Sequence, residues 1–521
     1  MNRQTPLQRR NFLKLMSIGA ASLALPGAKA LAATNPAKPA RPNIIIVLTD
    51  DQGWGDVGYN GHPHIKTPHL DAMAKAGMRF DRFYAAASTC SPTRATCLNG
   101  RNNWRVNITS PLRIGEAHLT AEEITLPEAI KASGYISGHF GKWHIGGFTD
   151  EAGVHKMTPG MAGFDHWFST PNVLPTYDPY AKGYKAGTKE MYWDNGRNIP
   201  MEEARKDPAL RGDDAAIVMN KAMGFIRTQA KAVKPFFAFV CFHNVHTPLG
   251  RNPELIKLYP KCSTQEQTYF SNITAIDTQV GRLRKELRTL GIADNTMLWF
   301  ASDNGPNLKG KKNVKFAKAQ GGKFNYTPIG STGAFRGWKR HMHEGGVRVP
   351  GILEWPAKIK TGRITSFPAV TTDYFPTVLD ALGIPLPKDR AYDGISLMPL
   401  IEGDAVRRKK AIGFHCNGWD AWTEHQYKIV RQNKKAEWEL YDLLEDPFEE
   451  HDLAKTKSDV VGRMVHEFSS WAASCEKEAA AIAKKYPPLP KAPKPPRTPK
   501  ASGGTDKKPK KDKVKKDKPK T

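Results

Sequence analysis

The chain has 521 residues, 40% of them hydrophobic, which is enough for one large domain plus a smaller one and excludes a fibrous or wholly disordered protein. Its formal net charge of +27 invites a nucleic-acid function, but the distribution argues against one. Twelve lysines and one arginine face three aspartates in residues 486–521, five cations lie in residues 1–33, and the +12 left for residues 34–485 forms no dense basic helix.

In chain order, Arg9-Arg10 opens a basic stretch, residues 15–25 are apolar, and small residues follow around Ala30 and Ala32. This pattern predicts a twin-arginine signal peptide over residues 1–33, cleaved near Ala32 or Ala33. The apolar run is too short for a membrane anchor and is closed by Pro26 and Gly27. The expected partner is the twin-arginine export machinery, the expected location is periplasmic, cell-surface or secreted in a bacterium, and no transmembrane segment is expected after cleavage.

Residues 43–48 read NIIIVL, a strand ending in Thr49-Asp50-Asp51. Cys90 opens a predicted helix with Pro92 in its first turn and Arg94 one turn on, at a helix start that attracts anions. Cys97, on the same helix face, is expected to pack in the core. Residues 126–132 read as helix, YISGHF leads into Gly141-Lys142-Trp143-His144, and PFFAFV leads towards His243 and His246. A helical pattern over residues 265–290 precedes TMLWFA and then Ser302-Asp303-Asn304-Gly305. Apolar strands separated by helices predict an α/β fold over residues 34–372: a large, mostly parallel sheet with helices on both faces. Ligands bind beyond the carboxyl ends of such strands, so these acidic, basic and imidazole groups should converge on one site.

Residues 373–485 predict a small C-terminal α+β subdomain, with a helix at 375–382, strands near 411–414 and 427–431, and the run WELYDLL from Trp438. Residues 486–521, rich in lysine and proline, predict a disordered tail, either a tether to anionic material or a solubilising extension. The six scattered cysteines form no C-x-x-C pair and predict neither a disulfide framework nor a zinc site.

Asp50, Asp51, Asp303 and Asn304 make an oxygen-only ligand set that suits calcium or magnesium rather than zinc. Taken singly, an aspartate after a strand is equally well explained as a turn former or helix cap. A lone Lys142 or His144 is ordinarily a solvated lysine and a satisfied core histidine, and His243 is read as the latter.

The run C-x-P-x-R from Cys90 to Arg94 resembles the signature of the type I, formylglycine-dependent sulfatases of the alkaline phosphatase superfamily. Asn99-Gly100-Arg101 stands where that family usually has T-G-R. Five more motifs follow the family's order across residues 41–454: Asp50-Asp51, Gly141-Lys142-Trp143-His144, His246-Thr247-Pro248, Asp303-Asn304, and Lys339 ahead of Glu344-Gly345-Gly346. The resemblance implies that a maturation enzyme oxidises Cys90 to formylglycine, and that Asp50, Asp51, Asp303, Asn304 and the modified residue 90 hold calcium, with magnesium as the alternative. It assigns Lys142 to the formylglycine and sulfate, His144 to a formylglycine hydroxyl, His246 to sulfate binding and acid catalysis, and Lys339 to sulfate as a point charge. An aldehyde hydrate activated by the metal and by Asp303 as base would attack sulfur. His246 would protonate the leaving oxygen, Arg94, Lys142 and Lys339 would stabilise the developing charge, and the remaining hydroxyl would expel sulfate.

The expected substrate is a sulfated carbohydrate or an aryl sulfate. Competing readings are a formylglycine-dependent phosphomonoester or diester hydrolase and an inactive sulfated-glycan-binding protein. Substrate selection is expected in loops 172–184, 309–326 and 417–425, where Trp419 and Trp422 either stack on a sugar or pack the subdomain.

Overall fold

Side chains of a strand alternate between faces, and the run at residues 44–48 is apolar throughout. Ile44, Ile46 and Leu48 enter one core while Ile45 and Val47 enter another. The computed structural model describes residues 41–486 except 113–117, 149–156, 182–190, 309–314, 320–321, 328 and 404–406. The leader, the tail from residue 487 and residues 309–314 and 320–321 of the expected 309–326 substrate loop lie outside the described residues, whereas Lys315–Ala319 and Gly322–Thr327 of that loop pair as antiparallel strands. Asn43–Thr49 lies inside a ten-stranded sheet. At its centre Thr296–Ser302, Asn43–Thr49, Phe236–Cys241, Ile136–Lys142 and His166–Thr170 run parallel in that spatial order. Antiparallel strands extend both sides, Gly351–Glu354 next to Thr296–Ser302 and Trp193–Asp194 next to His166–Thr170. The expected parallel sheet is therefore the middle of a mixed one.

Helices Asp214–Lys231 and Thr264–Thr289 cover the Ile45 face. Cys90–Asn99 and Tyr374–Ala381 cover the other, where Cys97 packs in the core as expected. Register aligns the strand ends: Thr49 sits opposite Ser302, Leu48 opposite Cys241, and Cys241 opposite Gly141. The residues that follow, Asp50, Lys142 and Asp303, emerge side by side.

Near the C-terminus, Ile412–Cys416, Trp419–Thr423, Tyr427–Arg431 and Glu439–Asp442 form an antiparallel sheet in sequence order. One face, with Phe414, Ala421 and Val430, packs on Tyr84, Ala86 and Met342 of the main body. The other lies under helix Ser458–Lys485, whose Met464, Phe468, Ala472, Cys475 and Ala479 recur at helical spacing and meet Trp422, Ile429 and Leu440. Residues 417–425, expected to be a substrate loop, contain a strand instead. Alternation of aromatic and β-branched residues suits a pleated, half-buried surface. Trp422 is only 9% exposed and packs with Phe468 and Trp471, whereas Trp419 stacks on His341 with ring centroids 5.0 Å apart. Among the described residues no helix is long and apolar enough to cross a membrane.

Phe468, 3% exposed, joins the long helix to the C-terminal sheet. Phe468→Ala is expected to cost about 3–5 kcal/mol, measured as a lower urea midpoint at unchanged slope.

Candidate active site

Cys90 is the first residue of a ten-residue helix in which every side chain is buried, and it is itself 2% exposed. Thr89 enters in extended conformation, and Pro92 falls within the first turn, where its missing N–H would be unpaired anyway. Gly100 ends the helix with φ +67°, where a Cβ would come within 2.8 Å of Phe375. At the neighbouring strand end Gly141 has φ +97°, and a Cβ there would strike the Cys241 carbonyl at 2.0 Å. Glycine is required for the turn that delivers Lys142.

Lys142 donates to Asp50 Oδ2 at 2.6 Å and Lys339 to Asp51 Oδ1 at 2.5 Å. Arg94 donates from Nε and Nη2 to Asp303 Oδ2, at 2.9 and 2.7 Å, and from Nη1 to the Lys142 carbonyl at 2.8 Å. All three of its donating nitrogens are engaged by protein groups. Arg94, expected from sequence to help stabilise developing charge, is here a clamp that joins the Cys90 helix to two strand ends. Asn304 donates to Asp51 Oδ1 at 2.7 Å, and the Asp51 amide to Asp303 Oδ1 at 3.2 Å.

The sequence-predicted histidines separate into three environments. His144 donates from Nε2 to the Leu112 carbonyl at 2.9 Å, which leaves Nδ1 a buried acceptor without a partner. Burial and the charges of Lys142 and Arg94 hold its imidazole well below the ordinary range, so it is neutral. His246 donates from Nδ1 to the Thr247 carbonyl at 2.6 Å, and its Nε2 lies 3.8 Å from Asp51 Oδ2. His243 is a satisfied core histidine, with Nδ1 at 2.7 Å from Asp214 Oδ2 and Nε2 at 2.7 Å from Thr170 Oγ1.

Burial would raise the Asp50 carboxyl, but Lys142, His246, Arg94 and Lys339 outweigh it and hold the group well below the carboxylate range. Burial and the neighbouring Asp50 push Asp303 well above its ordinary value, although Arg94 opposes them. Burial also opposes ionisation of the Cys90 thiol, yet Lys142 and Lys339 hold it below its usual range. Ligand atoms of Asp50, Cys90 and Asp303 lie within 4.8 Å of one another. Asp50 Oδ1 and Asn304 Oδ1 are buried and have no hydrogen-bond partner. Unpaired buried acceptor oxygens beside three carboxylates fit a hard divalent cation.

A cavity of about 700 Å³ opens beside Asp51, with Val245, Leu249, Tyr269, Ile329 and Arg340 on its walls. Sequence reasoning missed Tyr269 and Arg340. Tyr269 reads as one more apolar position on a helix, and Arg340 follows the motif lysine without belonging to a motif.

The family model described as Sulfatase matches residues 42–384. The chain belongs to the sulfatase family. This sulfatase is a sulfuric ester hydrolase, and a second model, N-sulphoglucosamine sulphohydrolase, C-terminal, matches its residues 333–471. It is 32% identical over 419 residues to N-acetylgalactosamine-6-sulfatase of Canis lupus familiaris, covering 77% of this chain and 74% of the relative. It is 30% identical over 423 residues to arylsulfatase G of Rattus norvegicus, covering 76% and 75%. The crystal structure of Ps i-CgsB in complex with k-i-k-neocarrahexaose superposes with a TM-score of 0.70 at 26% identity, over 83% of the sulfatase and 93% of that chain.

Because Arg94 and Asp303 are both buried, Arg94→Met should leave a carboxylate without its partner and cost about 3–5 kcal/mol. Equilibrium unfolding in urea measures the loss, and turnover should disappear with it.

Proposed function

We propose that this sulfatase is an exported enzyme that removes sulfate esters from sulfated carbohydrates, with residue 90 as formylglycine and one hard divalent cation, calcium in preference to magnesium. The observation that carries this reading is the convergence on Cys90 of Lys142, Lys339 and a carboxylate cluster with two unpaired acceptor oxygens. The carbohydrate class is supported by relatives named N-acetylgalactosamine-6-sulfatase and by the neocarrahexaose held in a similar structure. Export rests on the leader pattern of residues 1–33.

As a formylglycine hydrate, residue 90 offers one hydroxyl to attack sulfur and a second that lets the sulfate depart. Asp50, Asp51, Asp303, Asn304 and residue 90 would hold the cation, which would supply Lewis acidity at the reacting group. Asp303, held by Arg94 at 2.7 and 2.9 Å, takes the proton of the attacking hydroxyl. Lys142 and Lys339 place positive charge where the sulfate oxygens become more negative. Arg94 fixes Asp303 and the Lys142 backbone so that base and lysine keep their places. His246, with Nδ1 committed to Thr247, protonates the leaving oxygen from Nε2. The unpartnered Nδ1 of His144 accepts the proton of the second hydroxyl at the release step.

Two measurements test this reading. Mass spectrometry of active enzyme from its native host should find aldehyde at position 90, and metal analysis of the same preparation should find one calcium per chain. A cysteine thiol in a fully active preparation, or two zinc ions with activity restored by zinc alone, would refute it. His246→Ala should slow hydrolysis of sugar sulfates by about 10²–10⁴-fold while slowing activated aryl sulfates far less, because only the poorer leaving group needs the proton. Equal losses in kcat for the two substrates would remove His246 from the acid role.

A further inference from the structure

The sulfatase has a second cavity, of about 550 Å³, lined by the four-stranded sheet, the Ser458–Lys485 helix and the segment leading into that sheet. No member of the Cys90 cluster lines it. Its walls are aromatic, with Trp422 and Trp471 ring centroids 5.6 Å apart. Two buried polar atoms on these wall residues, Trp422 Nε1 and His425 Nδ1, have no hydrogen-bond partner. Both atoms are enclosed by protein, so the surface a ligand would meet is made by the other lining groups.

The charges along the cavity are unequally committed. Arg463 holds Glu424 at 2.6 and 3.0 Å and Glu467 at 3.0 Å, Arg105 holds Asp393 at 2.8 and 3.1 Å, and Arg408 is taken by Asp373 at 2.6 and 3.0 Å. Arg407 and Lys409 are exposed on the rim and make no ion pair among the described residues. The cavity therefore combines two indole rings tilted 50° to each other, a paired arginine that donates, carboxylates that accept, and two uncommitted cations. Hydroxyl groups need a donor and an acceptor together, whereas a simple inorganic anion has no use for the carboxylates.

We propose that this cavity is a second binding site, for an anionic sugar unit bearing sulfate or carboxylate. The sugar ring lies against Trp471, its hydroxyls meet Arg463 and Glu424, and its acidic group meets Arg407 and Lys409. This inference rests on the reading of the substrate as a sulfated carbohydrate. It adds that the enzyme holds a polymer at two places, which raises the effective concentration of the chain at the catalytic site.

The test uses full-length protein carrying Cys90→Ala, titrated calorimetrically with a chondroitin 6-sulfate hexasaccharide. Two binding events are expected. Arg407→Glu with Lys409→Glu should abolish one of them. In enzyme that retains Cys90, the charge reversals should leave kcat/KM for 4-nitrocatechol sulfate within about twofold and lower it for the polymer at least tenfold. A hexasaccharide isotherm unchanged by the charge reversals overturns the proposal. So does an equal loss on aryl sulfate and polymer, which would put the defect in the fold. Failure of the sulfatase reading has its own signature, no turnover of the aryl sulfate by the unmutated enzyme, and the isotherm still decides whether the cavity binds.

Discussion

Three buried carboxylates, Asp50, Asp51 and Asp303, meet where strands end and a helix begins, and Arg94, Lys142 and Lys339 answer them one for one. Like charges at such separations are tolerated in a dry site only when each is paired. The pairing also dictates the architecture. Arg94 comes from the Cys90 helix, Lys142 from one parallel strand and Asp303 from another, so the ion pairs hold three separate elements in fixed relation to residue 90. A cluster balanced in this way attracts a sulfate ester only weakly. A hard dication at the open oxygens of Asp50 and Asn304 would make the same cluster positive without moving any of its parts.

The strand ends were legible because each apolar run stops abruptly at a polar pair, and a parallel sheet gathers such ends on one side. The start of the helix at Cys90 was legible from Pro92 in its first turn. What Arg94 does there was not, because its partner lies 209 positions away and a spacing carries no information about where a guanidinium points. His243 was read correctly as a core residue, since a buried imidazole needs only a donor and an acceptor nearby. The long helix Ser458–Lys485 escaped notice although its five buried residues recur at helical spacing, because two of them are alanine and one is cysteine, so the stripe carries few large apolar side chains. The Trp419–Thr423 strand was hidden for a related reason: Trp422 is buried by Phe468 and Trp471, which follow it by dozens of residues.

The C-terminal sheet is more than an appendage. Lys428, wholly buried, pairs with Glu344 and Glu449, each at 2.9 Å, and so ties the sheet to the segment that carries Lys339. Cys416, at the end of the first strand of that sheet, lies 3.0 Å from the Thr89 hydroxyl, one residue before the nucleophile position. Damage to this sheet would therefore reach the catalytic cluster through the backbone on either side of it, even though none of its side chains belongs to the cluster.

The burial of Cys90 also imposes an order of events. A side chain 2% exposed, at the head of a helix that is itself buried throughout, offers no purchase to another protein. A protein that acted on this side chain would have to reach it before the core around the Cys90–Asn99 helix closes. Cys416 follows Thr89 by 327 positions, so during synthesis residue 90 emerges long before the C-terminal sheet can pack against its neighbour.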